Sequence, residues 1–261
     1  MPIIVVMGTS LAPSPRSMQQ LARALPDLDD PDHREPGAPD GRPVNGWRRL
    51  RRVVVGLVAF FVVGNAAILG ASAWAKQTAG SAAVEVPADV AAIHNFEAVD
   101  ARLWRGGAPG RADYEALAAA GVTTVVDLRA EHGLNVPTAL LEDLGIELVA
   151  IPMRDGQAPT PGQVDRFLTA VAGSEGPVYV HCGAGVGRTG TMVAAYRVRN
   201  GQSAVDAVRH NLAIGPPSLE QIAFAASLRG DSIQRTNPMV VAVSRTLDAP
   251  RRSWKVLEGL L

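Results

Sequence analysis

The spacing of hydrophobic positions changes several times along the chain, and each change marks an element. From Val53 to Ala75 the residues are uncharged without a break. A helix rises about 1.5 Å per residue, so this run crosses the roughly 30 Å hydrocarbon core of a bilayer. A buried core helix seldom stays uncharged for so long, and residues 53–75 read as a transmembrane helix. Residues 76–92 form an Ala/Ser/Val linker. Beyond it, shorter elements alternate. Asn95–Val99 and Leu103–Arg105 read as a hairpin, and Asp113–Ala120 as a helix stopped by Gly121 at C′. The β-branched run Val122–Leu128 is a buried strand. Val136–Leu144 is a helix closed by Gly145, and Ile146–Pro152 a second strand.

Thr160-Pro161-Gly162-Gln163 combines an N-cap, Pro at N1 and Gln at N3, opening a helix to Ala172. Val178–His181 is a third strand, with helices over Arg188–Arg199, Ser203–Leu212 and Ser218–Leu228, the last opened by a Ser218…Gln221 capping box. This alternation predicts an α/β fold over residues 93–230, a mostly parallel central sheet flanked by helices and preceded by one transmembrane helix. In the extension 231–261, Met239–Val243 reads as a strand and Ser253–Leu261 as a short amphipathic helix.

Charge gives the apolar run a direction. Arg48, Arg49, Arg51 and Arg52 precede it, whereas only Lys76, Glu85 and Asp89 follow closely. The positive-inside rule places residues 1–52 in the cytoplasm and the folded domain in the periplasm, on a single pass through the inner membrane. Residues 1–52 hold Pro26, Pro31, Pro36, Pro39 and Pro43 among Asp, Gly and Arg, too little apolar surface to offset chain entropy, and read as disordered. A second reading takes the run as a signal sequence. Ala71-Ser72-Ala73 and Ala73-Trp74-Ala75 have the small-x-small form of a cleavage site, and a start near Val44 would give it a short basic opening. Either way the domain is exported.

Composition removes other classes. Net charge is zero, so no basic field argues for nucleic acid. Cys182 is the single cysteine and excludes a disulfide within the chain; the five histidines lack metal-ligand spacing. No metal and no cofactor is expected.

The strongest chemical signal is His181-Cys182-Gly183-Ala184-Gly185-Val186-Gly187-Arg188-Thr189, after an apolar strand and before a helix. A phosphate dianion needs many donors and little obstruction. Glycines let the backbone curl so that successive N–H groups point inward, and the following helix aims its positive end at the same spot. Arg188 supplies a planar fork for two phosphate oxygens. The same field favours a thiolate at Cys182. Thr189 can donate its hydroxyl to the sulfur, while His181, pointing the opposite way in strand geometry, braces the loop. The loop is no Walker A motif, because no Gly-Lys-Ser/Thr is present.

The string His181–Gly190 resembles the His-Cys-x5-Arg-Thr-Gly signature of the protein tyrosine phosphatase superfamily. Asn95-Phe96, Arg105-Gly106-Gly107-Ala108-Pro109, Leu117…Gly121-Val122-Thr123-Thr124-Val125 and Asp127-Leu128-Arg129 resemble the start of bacterial dual-specificity-like phosphatase domains, a small group that includes exported enzymes. The similarity covers residues 93–230. Ala108 departs from the Gln that relatives often carry there. The resemblance implies a cysteine-phosphatase fold and a phosphocysteine mechanism with an acid on the loop after the strand preceding the signature strand. Asp155, in Pro152-Met153-Arg154-Asp155-Gly156, occupies that place and suits the proton donor a leaving oxygen needs. Asp127 ends a buried strand and orders neighbouring loops; Asp165 falls within a helix. Arg105 and Arg129 either add positive potential near the pocket or sit solvated on the surface. Gln221 positions the hydrolytic water by analogy with the superfamily, or serves only as a capping residue.

Lipid and inositol phosphate members of the superfamily commonly carry lysines in the loop, whereas Gly, Ala, Gly, Val and Gly stand here. A phosphorylated protein, most simply phosphotyrosine, is the expected substrate and partner. Dual-specificity phosphoserine/threonine or phosphoinositide hydrolysis is the alternative. Outside phosphatase chemistry, the rivals are a catalytically silent phosphopeptide-binding module and a sulfurtransferase-type enzyme.

Overall fold

The computed structural model of the chain describes residues 46–78, 84–130, 137–230 and 232–258. Two compact units divide the chain, residues 1–53 and 54–261. Of the first, the described part is the arginine-rich opening of a helix, so residues 46–52 are helical where disorder was expected for residues 1–52; residues 1–45 of that segment lie outside the described residues.

That helix, α1, runs Gly46–Thr78 and extends the predicted apolar span at both ends. It is long and apolar enough to cross a membrane. Val54, Val55, Leu57, Val58, Phe60, Val62, Val63 and Leu69 are exposed on it. Phe61, Gly64, Asn65 and Ile68 are partly covered and Ser72 and Ala75 buried, a stripe at helical spacing.

A five-stranded sheet organises the second unit. It comprises β1 (Glu97–Ala98), β2 (Leu103–Gly106), β3 (Thr124–Arg129), β4 (Glu147–Met153) and β5 (Val178–His181). Their order is β1-β2-β5-β3-β4. β1 and β2 form the expected antiparallel hairpin, whereas β2, β3 and β4 run parallel to their neighbours in the rest of the sheet. The sheet is therefore mostly parallel, with β5 at its centre. Register brings Gly106, His181 and Asp127 level at the carboxyl ends of three adjacent strands, where open α/β sheets bind ligands.

Alternation along the strands builds two core layers. Val126, Leu128, Val178, Val180 and Cys182 face one layer, which packs against α5 (Pro161–Gly173), α6 (Gly187–Arg199), α7 (Ala204–Ile214) and α8 (Leu219–Ser227). Val125 and Tyr179 face the other, covered by α2 (Ala88–Ala91), α3 (Arg111–Ala119) and α4 (Thr138–Asp143). The end of the expected linker differs from its reading: Val90 and Ile93 are core residues. The start of the helix expected at Val136 lies outside the described residues.

One element contradicts the sequence reading outright. Residues 239–243, expected as a strand, belong to α9, Pro238–Glu258. Asn237 accepts from Met239 N at 2.9 Å, Val241 N donates to its carbonyl at 3.1 Å, and Pro238 stands at N1, a strong start signal. Ser244 and Leu247 are buried below Val240 and Val241, so the valines continue a helical stripe and offer no alternating strand face. The short helix expected from Ser253 is the end of this one as far as Glu258. Leu247 meets α1 at Gly64, where an added Cβ would lie 3.4 Å from its Cδ2.

Candidate active site

The loop after β5 is shaped by what its carbonyls bond to. Gly183 O accepts from Ala108 N at 2.9 Å. Ala184 O accepts from Asn95 Nδ2 at 2.8 Å. Gly185 O accepts from Arg105 Nη2 at 2.6 Å. Three successive carbonyls thus point outward to donors from the β1–β2 region. In a trans peptide the N–H points away from the C=O, so the N–H groups of Ala184, Gly185 and Val186 turn to the inner side. Inward N–H groups are what an anion nest requires, and Gly187 opens α6 directly behind them.

Gly185 is indispensable on two counts. Its φ is +74°, and a Cβ there would stand 2.7 Å from Gly107 N and collide with the Gly106 carbonyl. Gly187 is pinned against α8, since its Cβ would lie 2.9 Å from Gln221 Nε2.

Cys182 is a buried free thiol on the Val178-Val180 side of the sheet. His181 points the other way, as expected, and stacks on Tyr179 with ring centroids 5.9 Å apart. Its Nδ1 lies 3.2 Å from Cys182 O and 3.9 Å from Asp127 Oδ1. Burial pushes its pKa down to about 4 despite the Asp127 charge, so the ring braces the loop as a neutral group. Burial opposes ionisation of Asp127, but bonds from Arg129 N at 2.9 Å and Nη2 at 2.8 Å hold its carboxyl below the ordinary range.

Arg188 is buried, and its Nη1 donates to Met153 O at the end of β4 at 3.2 Å. Asp155, two residues further on, places Oδ1 3.5 Å from Arg188 Nη2 while its side chain is 53% exposed. The Cys182 loop with its arginine and the expected acid therefore meet at one mouth. Thr189 differs from expectation: its Oγ1 is buried and, among the described residues, forms no hydrogen bond to sulfur or to another group. Gln221 takes the capping role that was one of its two readings, with further contacts beside the loop. It is the N3 cap of α8, accepting from Ser218 N at 3.0 Å, and it also touches Gly187 and donates from Nε2 to Gln157 O in the acid loop at 3.2 Å. Asp165 lies on α5, away from this mouth.

Arg105 is the residue that sequence reasoning undervalued. It is 1% exposed beneath the loop, reaching Gly185 O, Val186 O at 3.4 Å and Asn211 Oδ1 at 3.4 Å. Burial lowers its pKa, opposed by the Glu97 carboxylate 3.8 Å away. Its place in the string Arg105-Gly106-Gly107 was the available signal. Asn95, at φ +54°, and Asn211 were likewise missed.

A family model described as "DSP-PTPase phosphatase fused to NAD+ Kinase" matches residues 83–227, more than half of the chain. The chain belongs to this phosphatase family. That membership groups the chain with the cysteine-based phosphatases. The chain is 41% identical over 58 residues to the dual specificity protein phosphatase CDC14C of Homo sapiens, covering 22% of this chain and 13% of that protein. It is 35% identical over 111 residues to NAD kinase 2, chloroplastic, of Arabidopsis thaliana, covering 40% of this chain and 11% of that protein. The phosphatase therefore spans only 11% to 13% of the length of these two relatives. A solved structure similar to it is the core catalytic domain of PP-IP phosphatase SIW14 from S. cerevisiae in complex with citrate, with a TM-score of 0.48 and 19% identity over 52% of this chain and 85% of that one.

Proposed function

We propose that the phosphatase hydrolyses phosphate monoesters on proteins, phosphotyrosine foremost, with Cys182 as nucleophile and Asp155 as general acid. The observation that carries this reading is the meeting of Arg188 and Asp155 at 3.5 Å over a loop whose carbonyls are turned away from its centre. Sγ of Cys182 attacks phosphorus and the ester P–O bond breaks as the Asp155 proton passes to the leaving oxygen. Water then attacks phosphorus and gives its proton to Asp155, the P–S bond breaks, and phosphate departs. Arg188 and the inward N–H groups hold the equatorial oxygens in both steps. Gln221, against Gly187 and the acid loop, is placed to orient the water. The loop side chains between Cys182 and Arg188 add no cation for a second phosphate, which supports a phosphoprotein over a polyphosphorylated lipid.

The test is turnover of phosphotyrosine peptide, phosphoserine peptide and phosphoinositide by the full chain and by Cys182→Ser. Phosphotyrosine turnover that vanishes in the variant supports the reading, and preference for either other substrate overturns the specificity. We propose further that α1 anchors the protein in a membrane with the catalytic unit on the face away from the four arginines. A reporter active only in the periplasm, fused after Leu261, should be active; a silent fusion overturns this topology.

A further inference from the structure

The loop carrying Asp155 is held from one side by the N-cap and two first-turn residues of α8, and each grips a different loop residue. Ser218 Oγ donates to Gly156 O at 2.7 Å. Gln221 Nε2 donates to Gln157 O at 3.2 Å. Glu220 Oε1 accepts from Ala158 N at 3.1 Å. The first two are N-cap and N3 residues whose presence α8 itself explains. Glu220 is different: its carboxylate plays no part in the cap, and its side chain is only 6% exposed. A buried carboxylate needs compensating partners, and here they come from the acid loop and from the C-terminal helix. Arg245 Nε lies 3.5 Å from Glu220 Oε2, and Glu220 N donates to buried Ser244 Oγ at 3.0 Å. The chain of contacts runs from α9 through Glu220 to Ala158, three residues along the backbone from Asp155.

We propose that Glu220 is the positioning residue of the acid loop, and that α9, through Ser244 and Arg245, holds Glu220 in place so that Asp155 stays over Arg188. This rests on the reading of Asp155 as the general acid. Acid catalysis depends on the leaving group: an alkyl or unactivated aryl ester needs the proton, and an activated ester such as 2,4-dinitrophenyl phosphate does not. A positioning defect therefore appears as a selective loss of kcat on poor leaving groups, with KM little changed. A general packing defect would lower both substrates together.

The experiment uses the full chain and compares phenyl phosphate with 2,4-dinitrophenyl phosphate for Glu220→Ala, Glu220→Gln, Arg245→Ala, Asp155→Ala and the double variant Asp155→Ala/Glu220→Ala. Glu220→Ala should lose about tenfold in kcat on phenyl phosphate, part of the ~100-fold or greater contribution of a general acid, and under twofold on the activated ester. Glu220→Gln, which keeps the Oε1 acceptor, should recover most of this loss. Arg245→Ala, at a half-exposed site, should lose a few-fold in the same direction. The double variant should be no slower than Asp155→Ala alone, because both losses pass through one carboxyl. Equal losses on both esters, or additive losses in the double variant, overturn the role of Glu220. If Asp155→Ala itself shows no leaving-group selectivity, the assignment of the acid fails instead. Should Glu220→Ala not fold, Arg245→Ala carries the test, and equal losses on both esters in that variant overturn it.

Discussion

Two loops meet at the mouth of the phosphatase, and they are fixed by opposite means. The proposed phosphate loop is held by groups flanking and ending the β1–β2 hairpin: Ala108 N, half-buried Asn95 and the buried guanidinium of Arg105 take its carbonyls. The acid loop is held from the side by three polar side chains at the start of α8, one of them tied to a half-exposed arginine. A cradle for a dianion must present its donors before the ligand arrives, so it is built of contacts that cannot relax. A proton donor must reach a leaving group and then a water, so its loop is restrained by contacts that can be adjusted singly. Perturbing the first should damage binding and folding together; perturbing the second should damage turnover selectively.

The strongest way to break this contrast is Gly185→Ala. The new Cβ would meet the Gly106 carbonyl on a backbone that also sits at φ +74°, and neither element can move without losing the β2–β5 register at Gly106 and His181. Vanadate binding should fall at least 100-fold and turnover with it, on activated and unactivated esters alike. A variant that keeps vanadate affinity would show that the loop is softer than its bonding suggests.

Arg105→Met is the next perturbation. It removes the donor to Gly185 O and Val186 O and leaves Glu97 with Arg197 at 2.8 Å as its remaining close cation. Breaking a buried charged network typically costs about 3–5 kcal/mol; because Glu97 retains a partner, the lower end is expected, read as a shifted urea midpoint. Activity should drop on both classes of ester.

These two residues also show what the sequence could and could not reveal. The glycines, Cys182 and Arg188 were legible because one loop must satisfy backbone geometry, charge and chemistry in consecutive positions. The apolar runs pointed to the parallel sheet for a related reason, the inner strands β2, β3 and β5 being buried on both faces. Arg105 was not legible, since an arginine ending a short strand is equally at home in water; only the loop carbonyls above it, distant in sequence, decide its burial. Glu220 was hidden likewise, inside a capping box that already explained its neighbours. The helix from Pro238 was misread because five apolar residues fit a strand locally, and the Asn237-Pro238 start signal was overlooked.

Acid should loosen the structure around His181 and Asp127. His181 binds its proton near pH 6.5 when unfolded and near 4 when folded, so stability is lost as pH falls across that window, by up to about 3 kcal/mol. Asp127, held below the ordinary carboxylate range by Arg129, loses its contribution in the same direction at lower pH. Unfolding free energy measured between pH 7 and 4 should therefore fall, and His181→Asn should flatten the upper part of the curve. A wild-type profile already flat between pH 6.5 and 4.5 would mean that the ring is not held neutral by burial.

The smallest expected effect lies on the acid loop. Ser218→Ala removes the acceptor for Gln221 N at 3.2 Å and the donor to Gly156 O. Loss of an N-cap costs about 1 kcal/mol, a modest fall in the urea midpoint. Gln157 and Ala158 remain tied to Gln221 and Glu220, so the loop is loosened at one of three points, and turnover of phenyl phosphate should fall only two- to threefold with vanadate affinity intact. If instead vanadate affinity drops with stability, the loosening has passed through Gln221 and Gly187 into the phosphate loop, and the two loops are one mechanical unit rather than two.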